Sequence, residues 1–306
     1  MLPLIYHPNY SCPFPEDHRF VMSKFRRLFE TLQDSGVIEA DHKNLFSPSM
    51  ATLDALSIAH DSTYLESLLG NNICPKAWRR VGLPWSQGLV DRTLTAPNGT
   101  LLTARMALKH GIACHLAGGT HHAHRDFGSG FCMINDLAYT ALQVLKHKEV
   151  GRVLIFDCDV HQGDGTAAIL VNESAAFTCS LHCEKNFPFR KTDSDLDVGL
   201  PLYMKDDDYL DVVDSTLERL LYQIEPDLVL YDAGVDVWEH DALGKLDISW
   251  QGIEQRDRLV LEKCWSRGTP VATVIGGGYD EDHHRLALRH AIVIEQAHAV
   301  AGLPVF

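Results

Sequence analysis

Short apolar runs alternate along this chain with longer stretches in which apolar residues recur every three to four positions. The runs at 112–116, 153–156, 228–231 and 271–275 have the length and composition of buried strands. Helical spacing predicts helices over 20–33, 62–69, 100–110, 136–148, 210–224, 249–267 and 285–300. Gly111 stops the third of these, Asp136 is the expected cap of the fourth, and Pro226 ends the fifth. Strands that alternate with helices predict an α/β fold built on a parallel sheet. No repeat, low-complexity tract or linker breaks the pattern, so a single domain over 1–306 is expected.

Each apolar run feeds a glycine-bearing loop that carries chemistry. The first leads to Gly118-Gly119-Thr120-His121-His122 and the second to Asp157-Cys158-Asp159-Val160-His161-Gln162-Gly163-Asp164. The third leads to Asp232-Ala233-Gly234-Val235-Asp236, and the fourth to Gly276-Gly277-Gly278-Tyr279. In a parallel sheet these four ends share one rim, where open α/β sheets bind ligands. On extended backbone Asp157, Asp159 and His161 point the same way. Thr166 is the expected cap of a helix opened by Ala167.

Asp159, His161 and Asp236 are the expected metal ligands. Oxygen and nitrogen donors with an open position suit Zn²⁺, and Fe²⁺, Co²⁺ or Mn²⁺ are compatible with the same set. An isolated Asp-x-His reads more simply as a helix cap beside a packed imidazole, but Asp236 and the histidine pair on neighbouring strand ends favour the metal. His121 and His122 can serve as base and acid if their surroundings split their proton affinities. Asp157 and Asp164 are the candidates to orient them. Tyr279, after three glycines, can bring a phenol to a developing oxyanion. Gly130, Phe131 and Phe187 can form apolar walls, although core packing is the plainer reading of each.

With 306 residues and 45% apolar content the chain can bury a sizeable core. A formal net charge of −14 argues against a surface that itself grips nucleic acid or anionic membrane. Eight cysteines are scattered without a C-x-x-C pair, which points to reduced thiols and a cytoplasmic setting. The first residues lack the pattern of a signal peptide, and no apolar run reaches membrane-spanning length.

Taken together, Gly119-Thr120-His121-His122-Ala123, Gly130-Phe131-Cys132, the 157–166 segment, Tyr231 to Asp236 with Asp241, and Gly276 to Tyr279 resemble the histone deacetylase superfamily. That superfamily includes bacterial acetylpolyamine amidohydrolases and acetoin-utilisation proteins. The resemblance implies the arginase/deacetylase fold, a three-layer α/β/α sandwich with a mainly parallel eight-stranded sheet. It also implies Zn²⁺-dependent removal of an acyl group, typically from N-ε-acetyl-lysine in a peptide or protein, or from an acetylated small amine.

Carried over by position, the ligands are Asp159, His161 and Asp236. The dyads are His121–Asp157 and His122–Asp164, and Tyr279 is the carbonyl-polarising phenol. Gly130, Phe131 and Phe187 then flank the acyl-lysine tunnel. A structural K⁺ would involve Asp157, Asp159, His161, Ser180 and Leu181. Arg19 matches loosely an arginine of an internal product channel, and His60 with Tyr64 are weaker echoes. Gln162 and the Asn186-Phe187-Pro188-Phe189-Arg190 rim depart from the commonest pattern and lean toward the class IV-like branch and its bacterial relatives. The rivals are a ureohydrolase with paired Mn²⁺ and a non-catalytic protein that binds acyl-lysine or polyamine. Oligomeric state leaves no trace in the sequence.

Overall fold

Parallel pairing joins all eight strands into one sheet with the order β2-β1-β3-β8-β7-β4-β5-β6. The strands are β1 (Leu4–Ile5), β2 (Leu45–Phe46), β3 (Ile112–His115), β4 (Val153–Asp157), β5 (Ala176–Cys183), β6 (Leu196–Leu200), β7 (Leu228–Asp232) and β8 (Val271–Val274). The computed structural model describes residues 1–302. The four central strands are buried along their whole length, as a sheet covered on both faces requires.

Ten helices accompany the sheet among the described residues. They are α1 (Lys24–Asp34), α2 (Leu53–Leu56), α3 (Ser62–Leu69), α4 (Pro75–Val81), α5 (Gln87–His110), α6 (Asp136–Lys146), α7 (Asp164–Leu170), α8 (Asp206–Ile224), α9 (Trp250–Ser266) and α10 (His283–Ala301). Helices α1, α10, α9 and α8 pack in a row, while α5, α6 and α7 form a separate group. The result is the expected α/β/α sandwich. No described helix is long and apolar enough to cross a membrane, and none of the eight cysteines forms a disulfide.

Several boundaries differ from the sequence reading. Helix α5 starts at Gln87, well before the expected 100, and carries Pro97 and Gly99 inside it. Tertiary contact outweighs propensity there, because a side chain at Gly99 would collide with His115 and Tyr10. Asn135, not Asp136, caps α6, its side chain accepting from the Ala138 N–H at 2.9 Å. Helix α7 opens at Asp164, so Thr166 lies inside it rather than capping it. Helix α1 begins at Lys24 rather than 20. Strand β5 was not expected, because Thr178, Ser180 and His182 dilute its apolar character.

The rim is as the parallel arrangement requires. Strands β3, β8, β7 and β4 are consecutive neighbours, so their loops open side by side. Register places Asp157 beside Asp232 on one side and beside Ser180 on the other.

Candidate active site

Asp159, His161 and Asp236 meet as one buried cluster, with donor atoms of all three within 4.8 Å of one another. His161 Nδ1 lies 3.1 Å from Asp159 Oδ1 and 3.1 Å from Asp236 Oδ2. Backbone donors aim both carboxylates: Gly277 N–H donates to Asp159 Oδ2 at 2.7 Å, and Val160 N–H to Asp236 Oδ1 at 2.9 Å. Any side chain at Gly277 would overlap both acids, which explains a glycine at this position. Two buried carboxylates on one imidazole fit a divalent cation. Burial opposes charge on His161, but Asp159 and then Asp236 raise its pKa to about 10. The two carboxylates thus favour positive charge at this point, a condition that a divalent ion meets.

The histidine pair faces this cluster. His121 Nδ1 is 2.8 Å from Asp157 Oδ2, and His122 Nδ1 is 2.7 Å from Asp164 Oδ1. The two Nε2 atoms approach to 3.2 Å. Burial lowers the proton affinity of both rings, but at His121 Asp157 foremost, with Asp159 and Asp232, reverses this and raises the pKa well above the usual value. Burial and then the neighbouring His121 charge push His122 down to about 4, against the pull of Asp164. The environments therefore separate the two rings, one protonated and one free to accept. Asp164 also contacts His124 Nε2 at 3.1 Å.

The loop that presents the pair is held from behind. Asp136 accepts from the backbone N–H groups of Gly119 and Thr120 and from the Thr120 and Thr100 hydroxyls. Thr100 and Tyr10 in turn bracket His115. Asn135 Nδ2 donates to the carbonyls of His121 and Ala123, and its own backbone N–H donates to His60 Nε2 at 2.9 Å. Tyr64 donates to the Met133 carbonyl at 2.8 Å. His60 and Tyr64 thus hold the 133–135 segment, away from the Asp159–His161–Asp236 cluster.

Tyr279 is buried, and burial followed by Asp236 and Asp159 raises its pKa well above the usual phenol value, so it stays a donor. Its backbone N–H donates to Asp241 Oδ2 at 2.7 Å. Two cavities meet at Tyr279, His122, His161, Gly130 and Phe131: an outer mouth that includes Phe187, and an inner pocket that includes His121 and Asp159. Phe187 meets His122 edge-on at 4.8 Å, and Phe131 lies 5.8 Å from Tyr279. Gly130 and Phe131 both have positive φ, 53° and 66°, and a side chain at 130 would run into His122. Phe131 and Phe187 therefore line the mouth rather than the core.

Gln162 turns away from the cluster. Its amide donates to Thr192 O and Asp197 Oδ1, both at 2.7 Å, and so tethers the rim loop. Phe189, 99% exposed, takes no part in the cavity walls. Ser180 bonds His182 Nδ1 at 3.0 Å and sits with Leu181 beside the Asp157 strand end.

Four residues escaped the sequence reading. Arg256 is fully buried and donates to the carbonyls of Gly234 and Ala233, which fixes the loop ahead of Asp236. Asp232 is fully buried next to His121, with neither oxygen hydrogen-bonded. Lys24 and Arg92 reach the inner pocket, whereas Arg19, the expected channel arginine, is exposed. Asp232 stands in the strand-end loop that leads to Asp236 but received no role there, and Arg256, Lys24 and Arg92 stand in no motif. Their roles follow from what packs around them.

Comparison with known proteins places this arrangement. Residues 18–294 match the model of the histone deacetylase domain. The chain is 49% identical over 298 residues to an uncharacterised protein of Picosynechococcus sp., covering 97% of this chain and 99% of the other. It is 28% identical to histone deacetylase 2 of Arabidopsis thaliana, covering 92% of this chain and 76% of the relative. The same identity relates it to the acetoin utilization protein AcuC of Staphylococcus xylosus, with coverage of 87% and 74%. The crystal structure of the HDA15 HD domain superposes with a TM-score of 0.79 at 20% identity, covering 99% of this chain and 89% of that one, a likeness of fold. The chain belongs to the histone deacetylase domain family.

Proposed function

We propose that this protein hydrolyses the amide of an N-acylated amine, with N-ε-acetyl-lysine in a peptide or protein as the leading substrate and an acetylated small amine as the alternative. Asp159, His161 and Asp236 hold a single divalent ion, Zn²⁺ by donor type, with Fe²⁺ or Co²⁺ compatible. When bound, that ion supplies Lewis acidity to water and to the acyl carbonyl.

The protein groups do the rest. His122 Nε2, kept unprotonated, accepts the proton of the attacking water, and Asp164 steadies the imidazolium that results. His121, kept protonated by Asp157, gives its Nε2 proton to the departing amine. The Tyr279 hydroxyl donates to the oxyanion as the carbonyl becomes tetrahedral. Phe131 and Phe187, with Gly130 between Phe131 and His122, flank the extended side chain of the substrate and exclude water. A K⁺ ion beside Asp157, Asp159, His161, Ser180 and Leu181 would stiffen the strand end that carries two of the ligands.

What supports this reading is the meeting of the buried three-ligand cluster with two carboxylate-backed imidazoles whose Nε2 atoms stand 3.2 Å apart. The test is acetate release from an acetyl-lysine peptide and from acetylated polyamines, with and without chelator, alongside metal stoichiometry. Chelator-sensitive release with one ion per chain is expected. Two tightly bound ions per chain, or no amide cleavage in the metal-loaded protein, would overturn it.

A further inference from the structure

We infer that, beyond acetyl, this site accepts an acyl group that carries a terminal carboxylate of its own, held by Lys24 and Arg92 at the inner end of the cavity. This rests on the amide-hydrolase reading above and names its acyl class.

Both cations line the inner pocket together with His121, His122, Asp159 and Tyr279. Lys24 is 2% exposed and Arg92 4% exposed. Buried charges are ordinarily paired with opposite charge, because leaving water is costly. These two are not. The Lys24 ammonium has one long hydrogen bond, to the Gly276 carbonyl at 3.4 Å, and Arg92 Nε has no partner. Among the described residues neither forms an ion pair, and Asp159 and Asp236 are engaged in the metal cluster. Two further carboxylates act on these cations, Asp241 on Lys24 and Asp136 on Arg92, but the first accepts backbone N–H groups of Leu243, Gly244 and Tyr279, and the second those of Gly119 and Thr120 with two threonine hydroxyls.

Aromatic faces hold the cations in place. Lys24 Nζ is 5.5 Å from the Phe20 and Phe25 ring centres, and the Arg92 guanidinium carbon is 5.3 and 4.7 Å from the same rings. Such contacts offset only part of the desolvation. A methyl-tipped acyl chain long enough to reach the two cations would remove remaining water from them and return nothing. A carboxylate would pair with both, the planar guanidinium offering it two donors.

Lys24 adjoins the backbone that aims the ligand cluster. Gly276, whose carbonyl Lys24 touches, directly precedes Gly277, whose N–H contacts the ligand carboxylate of Asp159. A four-carbon diacyl chain sets its carboxylate carbon about 4 Å beyond the reacting carbonyl carbon, from three C–C bonds. In the reaction the water oxygen bonds to the acyl carbon, the C–N bond breaks, and the amine leaves with a proton. The products are the free amine and a dicarboxylate.

The test uses the metal-loaded full chain and one peptide sequence carrying ε-acetyl-, ε-succinyl- or ε-(4-methylpentanoyl)-lysine, the last a neutral isostere of succinyl. Expected is a kcat/KM for succinyl at least tenfold above that for the isostere. Lys24→Met should cut this ratio tenfold or more, while Lys24→Arg preserves it. A second readout needs no turnover: succinate should raise the melting temperature of wild type more than 4-methylpentanoate does, and Lys24→Met should abolish the difference. Equal rates for succinyl and its isostere with acetyl-lysine still cleaved would sink this inference alone. Failure to cleave any acyl-lysine would sink the hydrolase reading and this one with it. Wild type against the isostere pair remains decisive even if Lys24→Met does not fold.

Discussion

The carboxylate of Asp136 receives the backbone N–H of Thr120 at 2.7 Å and the hydroxyl of the same residue at 2.6 Å. One side chain on α6 thereby sets the path of the loop that delivers His121 and His122. A loop that slips by a fraction of an ångström misaligns both imidazoles, and misplacement of that order is costly to turnover. Asp136→Ala should lower kcat by about tenfold or more and leave KM nearly unchanged. It should also destabilise the fold by about 3 kcal/mol, as the loss of a buried multi-bond acceptor does. Steady-state kinetics beside denaturant unfolding separates the two effects; an unaltered kcat would show the clamp to be dispensable.

Tyr279→Phe should reduce kcat by on the order of 10²–10³, the usual result of deleting one oxyanion donor. The ring stays, so the cavity wall and the Asp241 contact to its backbone are preserved. Near-full turnover in a saturated assay would remove the phenol from the chemistry.

Replacing Asp236 by Ala should weaken metal binding by at least about a hundredfold and leave the isolated protein close to metal-free. The remaining pair, Asp159 and His161, cannot close the coordination shell. Elemental analysis of wild type and variant after dialysis checks this. Retention of one ion per chain by the variant would place the metal elsewhere.

Gly130→Ala should abolish most activity while the protein still folds. The new methyl would press on the His122 ring and on Phe187, and a positive φ of 53° is strained for alanine. Circular dichroism and thermal melting confirm the fold, and peptide turnover reports the site. Wild-type kinetics would mean that the lip at 130 yields without disturbing His122.

His60 predicts an acid-side weakness. Burial holds its pKa at about 4, and its Nε2 accepts the Asn135 N–H, a bond that protonation destroys. The unfolded chain takes up this proton near pH 6.5, before the folded state does. Stability is therefore full above that pH and falls as pH drops from about 6.5 to about 4, by up to about 3 kcal/mol from this group. His60→Gln retains an acceptor but does not titrate, so its urea midpoint should fall less than that of wild type between pH 7 and 4.5. Parallel pH profiles would exclude His60 as the origin.

Strand-end chemistry was legible in the residues alone. An apolar run followed by a glycine and an acid is a local pattern, and alternation along a strand settles which of Asp157, Cys158 and Asp159 share a side. Parallel pairing then follows from strand–helix alternation, which is why Asp159, His161 and Asp236 could be grouped although 75 residues separate the last two. Tertiary structure alone decided the rest. Whether Lys24, Arg92 or Arg256 meets water depends on which helix covers it, and no neighbour in sequence carries that information. The same holds for Gln87 to Gly99, whose proline and glycines argue against a helix until His115 and Tyr10 close over it. Local periodicity records what a segment can form, whereas burial of charge records what the whole chain packs around it.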